Sequence, residues 1–252
     1  MIKSVVTEKK NIRGEEIEYE SGGVRLKGYL AFDAQQEGPR PGVLVVHEWW
    51  GHNEYVRKRA HQLAQMGYTA LAVDMYGDGK LADHPQDAMK FMQEVMSNMD
   101  SAEARFNAAK DLLAAHATTD GTRLAAIGYC FGGAVILHMA RVGTDLAGVA
   151  SFHGSLGTES PAGPGDITTE IFVAHGGSDP FIPAEQLEAF KSEMDSAQQD
   201  ITLLVYPDAK HGFTDPGASE KGKRFELPLE YNSEADKDSW AKLGKFLERI
   251  FN

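Results

Sequence analysis

Apolar residues recur along this chain with two rhythms. Within RPGVLVVHEWWG the run Val43–Val46 is apolar without interruption. It is too short for a helix and closes on polar and aromatic residues, which predicts a strand buried on both faces. Residues 53–66, NEYVRKRAHQLAQM, carry apolar side chains at helical spacing and stop at Gly67, a residue suited to a helix C-terminus. The two rhythms then alternate. YTALAVDMYG, TRLAAIGYC, LAGVASFHG, EIFVAHGGSD and ITLLVYPDAKHGF read as strands. Residues 84–116 (in one or two pieces), GGAVILHMAR, PAEQLEAFKSEMDSA and SEADKDSWAKLGKFLERIF read as helices. Ahead of all of them, residues 15–34 read as two strands joined at Ser21-Gly22-Gly23.

Repeated strand–helix alternation predicts an α/β chain, with a mostly parallel central sheet covered by helices on both faces. No repeat or low-complexity block divides it, so residues 1–252 are expected to form a single domain. Two segments, 154–170 and 214–232, read as long irregular loops. Such loops on an α/β domain tend to rim a site.

Composition narrows the function classes. A formal net charge of −12 disfavours nucleic acid or an anionic membrane as partner. No apolar run approaches the length of a membrane span, and the N-terminus has no signal-peptide core, so a soluble cytoplasmic protein is expected. With one cysteine, no internal disulfide forms.

That cysteine, Cys130, sits in Gly128-Tyr129-Cys130-Phe131-Gly132, where a strand hands over to a helix. The serine version of this pattern is the nucleophile elbow, a sharp turn that exposes its central residue above the sheet and needs small residues on either side. The helix N-terminus favours a thiolate there. By itself the motif fits a packed thiol as well as a nucleophile. Asp179 and His211 change the balance, because each lies just past a strand end, where open α/β sheets gather their sites. The order nucleophile, acid, histidine is that of the α/β-hydrolase fold. In that reading His211 takes the thiol proton and later protonates the leaving group, while Asp179 fixes the imidazole tautomer. Trp49 and Trp50 are expected to wall a substrate pocket.

The stretches HEWWG, GYCFGG, HGGSDPFIP and KHGF resemble the dienelactone hydrolase family of the α/β-hydrolase superfamily, and the likeness runs from about residue 15 to the C-terminus. The resemblance implies an α/β-hydrolase fold and hydrolysis of a small-molecule ester or lactone through an acyl-thioester, without a cofactor. It implies that Glu48 faces the resting thiol and helps deprotonate it. It also implies that the backbone N–H groups of Trp49 and Phe131 form the oxyanion hole. The family's carboxylate-binding arginines have no counterpart before the long central helix or after His211, where Gly-Phe-Thr-Asp follows. A neutral or weakly polar substrate is therefore expected. Arg57 and Arg59, on the first helix, are expected to face solvent. The rival reading is a redox-sensing or non-catalytic binding domain on a hydrolase scaffold. It would use Cys130 but need neither Asp179 nor His211.

Two look-alikes are set aside. His47-Glu48-Trp49-Trp50-Gly51-His52 has one residue too many for the zinc signature H-E-x-x-H, and Gly51 argues against a helix there; no metal is expected. Gly128–Gly133 lacks both the dinucleotide-binding spacing and a P-loop lysine.

Overall fold

The computed structural model describes residues 10–252. Gly22 and Gly23, at φ of 58° and 78°, turn the chain between β1 (Ile12–Ser21) and β2 (Val24–Asp33), which pair antiparallel. Two successive positive φ angles match the twist of a two-residue hairpin. After β3 (Arg40–Val46), α1 (Glu54–Met66) starts at Asn53, whose side chain accepts the Tyr55 N–H, and stops at Gly67, φ 101°. β4 (Thr69–Val73) follows, and the long central helical region splits into α2 (Pro85–Met96) and α3 (Met99–Ala115). β5 (Thr119–Tyr129), α4 (Phe131–Arg141), β6 (Gly148–Phe152), β7 (Glu170–Gly176), α5 (Ala184–Ser196) and β8 (Ile201–Tyr206) continue the alternation. α6 (Ala218–Phe225) and α7 (Ser233–Phe251) complete it.

All eight strands lie in one sheet of order β1-β2-β4-β3-β5-β6-β7-β8. β1, β2 and β4 pair antiparallel, and every pairing from β4 onward is parallel. This is the mostly parallel α/β-hydrolase arrangement. The buried strands show why they read as unbroken apolar runs. Leu44 and Val46 point into a core shared with Phe106 and Leu113 of α3 and Val135 of α4. Val43 and Val45, between them, point into the opposite core with Val56 and Leu63 of α1 and Leu243 and Phe246 of α7. A period of two with both faces buried leaves no polar position to spare.

One expectation needs correcting. The segment 214–232 is not irregular throughout, because α6 lies inside it. Of its eight residues, ASEKGKRF, only Ala218 and Gly222 are buried. Two small residues one turn apart give no apolar periodicity for a sequence pattern to register. Among the described residues no helix is long and apolar enough to cross a membrane.

Candidate active site

Parallel strands point their carboxyl ends at one edge of the sheet, and four of them deliver chemistry there. At the end of β5, Cys130 adopts φ 52° and ψ −115°, a conformation that L-residues rarely hold. Its N–H donates to the Phe152 carbonyl at 3.0 Å, tying the turn to β6. The flanking glycines are required by contact. A Cβ on Gly128 would stand 2.2 Å from the Gly132 oxygen, and one on Gly132 would stand 2.3 Å from the Val46 oxygen. The thiol is thereby held at the N-terminus of α4, only partly buried.

The close approach at Gly132 also joins β3 to α4, since its N–H donates to the His47 carbonyl at 3.1 Å. Trp49 packs against the apolar cluster that contains Phe131. Among the described residues, neither the Trp49 nor the Phe131 N–H donates to a protein acceptor.

From β7, Asp179 reaches the His211 loop that follows β8. The His211 Nδ1–H donates to Asp179 Oδ2 at 2.7 Å, and the Phe181 N–H donates to Asp179 Oδ1 at 2.9 Å. Both side chains are buried. Burial on its own would lower the imidazole pKa. The Cys130 sulfur and the Asp179 carboxylate outweigh it and hold His211 well above its ordinary value. Cys130 and His211 line the same cavity. Glu48, at the end of β3, is buried in the same cavity, and its neighbouring charges are Asp215, Lys221, His211 and Arg59. Burial first, and Asp215 second, push its carboxyl up to about 7.

These groups surround a cavity lined by Glu48, Trp49, Trp50, Cys130 and His211 on the sheet side. Ala218, Lys221 and Leu229, from α6 and the strap after it, close the other side. The enclosed space is about 10 Å³, room for a single water. The narrow space lies between the carboxyl edge of the sheet and α6, with Cys130 and His211 both on its lining.

A family model described as the dienelactone hydrolase family matches residues 26–251. The chain belongs to the dienelactone hydrolase family. Like its relatives it is a hydrolase acting on ester bonds. A protein of Escherichia coli strain K12, provisionally named a carboxymethylenebutenolidase, is 31% identical over 208 residues, covering 77% of this chain and 74% of its own. Protein usf of Aquifex pyrophilus is 29% identical over 79% of this chain and 87% of its own. Among solved structures, a dienelactone hydrolase-like promiscuous phosphotriesterase from metagenomic libraries is 33% identical with a TM-score of 0.88. It covers 96% of this chain and 99% of its own.

Within this dienelactone hydrolase family member, two features had no clear sequence signal. Lys221 lines the cavity from α6, with Nζ 2.8 Å from Asp215 Oδ2 and 5.2 Å from the centre of the Trp50 ring. Arg59, expected to face solvent, is buried instead. It falls on the same face of α1 as Val56, Ala60 and Leu63, and its guanidinium donates to the Thr214 carbonyl at 2.8 Å and to Asp236. The Thr214 hydroxyl in turn bonds Tyr55 and His153, and the His153 ring lies edge-on to His211 at 5.3 Å. A buried polar cluster therefore braces the loop that carries His211. Arg57 does stay at the surface, paired with Glu16.

Proposed function

We propose that this enzyme hydrolyses uncharged carboxylic esters or lactones through a Cys130–His211–Asp179 triad and an acyl-thioester intermediate. The observation that carries the reading is the 2.7 Å bond from His211 to Asp179 beside a cysteine held in a strained turn at a helix N-terminus. Each element has a task in that chemistry. His211 receives the thiol proton, with Asp179 fixing its tautomer and steadying the cation. The thiolate attacks the substrate carbonyl, and the oxygen takes up the negative charge between the N–H groups of Trp49 and Phe131. The tetrahedral adduct collapses, the C–O bond breaks, and His211 protonates the departing alkoxide. Water, deprotonated by His211, then attacks the thioester, and the acid leaves with the thiol restored. Glu48 serves as a second proton acceptor for the thiol once its carboxyl is ionised, above about pH 7.

Substrate charge follows from the lining. Lys221 is the only lysine or arginine among the cavity-lining residues, and it is already paired with Asp215. Among the described residues the lining holds no unpaired lysine or arginine for an anionic acyl group, and Trp49 and Trp50 offer apolar walls. The test is a panel of short neutral and anionic p-nitrophenyl esters and lactones, with paraoxon as a phosphotriester arm. Wild type, C130A and H211A are compared, and the trapped intermediate is weighed by mass spectrometry. Loss of turnover in both variants and an acyl mass on the Cys130 peptide are expected. Undiminished turnover by C130A would overturn the reading. A His211 variant that loses hydrolysis but keeps its thiol oxidation response still counts for the hydrolase, whereas one that keeps full hydrolysis counts against it.

A further inference from the structure

His47 begins the stretch that mimics a zinc signature, yet its nitrogens are both engaged with the backbone. The Met75 N–H, 3.2 Å away, is necessarily a donor, so His47 Nε2 accepts. The proton then sits on Nδ1, which lies 2.6 Å from the Glu48 carbonyl oxygen and donates to it. His47 is fully buried, and burial holds its imidazole below the ordinary pKa, consistent with this single neutral tautomer.

The Glu48 carbonyl belongs to the same planar peptide as the Trp49 N–H. In a trans peptide the two point in opposite directions, so fixing one aims the other. The Gly51 N–H also donates to the Glu48 oxygen, at 3.1 Å, and the Tyr76 hydroxyl donates to the next carbonyl, that of Trp49, at 2.9 Å. His47 reaches the second half of the site as well. Its own carbonyl accepts the Gly132 N–H, and its ring packs 5.7 Å from that of Phe131 and edge-on to Tyr76 at 4.7 Å. One side chain thus touches the peptide that presents the Trp49 N–H and the residue that presents the Phe131 N–H.

We propose that His47 is a positioning residue for the oxyanion hole, its Nδ1–H holding the Glu48–Trp49 peptide so that the Trp49 N–H faces the reacting carbonyl. The proposal rests on the cysteine-hydrolase reading above. It leaves His47 with no contact to substrate and no proton transfer. Removing a whole oxyanion donor typically lowers kcat by about 100- to 1000-fold. Here the Gly51 N–H remains on the Glu48 oxygen, so loosening the peptide is expected to cost about 10- to 100-fold.

H47N and H47Q separate positioning from packing. An Asn amide overlays Nδ1 and keeps the donor to Glu48; a Gln amide overlays Nε2 and loses it. Both are compared with wild type and C130A on a neutral p-nitrophenyl ester, after thermal melts establish that each variant is folded. H47Q is expected to lose about 10- to 100-fold in kcat with KM within about twofold, and H47N to regain most of that loss. Equal kcat in the two variants, or a loss carried by KM, overturns the proposal while leaving the hydrolase reading intact. Turnover by C130A overturns the reading and the proposal with it.

Discussion

Lys221 Nζ stands 2.8 Å from Asp215 Oδ2, so that the charge of the acid that raises the Glu48 carboxyl is offset by a residue borne on α6. Asp215 raises the Glu48 carboxyl and Lys221 lowers it. If ionised Glu48 assists thiol deprotonation, kcat/KM against pH carries a rising limb with its midpoint near 7. D215N is expected to move that limb to lower pH and K221M to higher pH, with E48Q losing it altogether. Profiles that superimpose across the three variants and wild type would remove Glu48 from the mechanism.

The same carboxyl makes stability depend on pH. Its folded-state value of about 7 lies above the ordinary 4.5, so the folded protein favours the protonated form. The resulting stabilisation is complete below about pH 4.5, declines as pH rises, and is gone above about 7. Relative to wild type, E48Q should therefore gain stability across that window, by an amount on the order of 3 kcal/mol at pH 8. Urea melts of both proteins at pH 4.5, 6 and 8 measure it. A difference that stays constant with pH contradicts it.

Asp179 holds the proton of His211 on Nδ1 through their 2.7 Å bond. In D179N the amide turns a donor toward Nδ1 and favours the wrong tautomer. The expected loss in kcat is about 10³- to 10⁴-fold with little change in KM. Steady-state kinetics decide it, and a loss below tenfold would leave Asp179 without the proposed task.

Gly132 tests the elbow itself. An added Cβ meets the Val46 oxygen at 2.3 Å and the His47 oxygen at 2.7 Å, both backbone atoms that cannot swing aside. G132A is expected to destabilise the fold by roughly 1–3 kcal/mol and to abolish turnover even where the protein remains folded. Denaturation curves and kcat together show it, and an active G132A would mean that the turn is not strained as described.

How much of this was legible beforehand follows from where each signal lives. β3 and β5 were readable because strands buried on both faces have no choice but to be apolar. The placement of Cys130, Asp179 and His211 at one edge of the sheet was readable because each sits a residue or a few beyond the carboxyl end of a parallel strand. Arg59 was misread because a charged residue type suggested solvent, whereas its place on the α1 stripe with Val56 and Leu63 decided its burial. α6 escaped because its contacts are made across space, by Ala218 to the Trp50 cluster and by Lys221 to Asp215 and Trp50, and neither leaves a periodic trace. His47 was visible only as part of a near-miss to a zinc motif, since its ring is held by the Met75 N–H and the Glu48 carbonyl, backbone groups that no side-chain pattern reveals.

The cavity closed by Ala218, Lys221 and Leu229 has room for about one water. That volume bears on the second half of the reaction as much as the first. In the proposed acyl-thioester, an acyl group on Cys130 would share with the incoming acceptor this narrow space, which admits water more readily than a bulkier molecule. On that reading, the competition between hydrolysis and transfer to another alcohol or amine would be set by the size of the competitor as well as by its nucleophilicity.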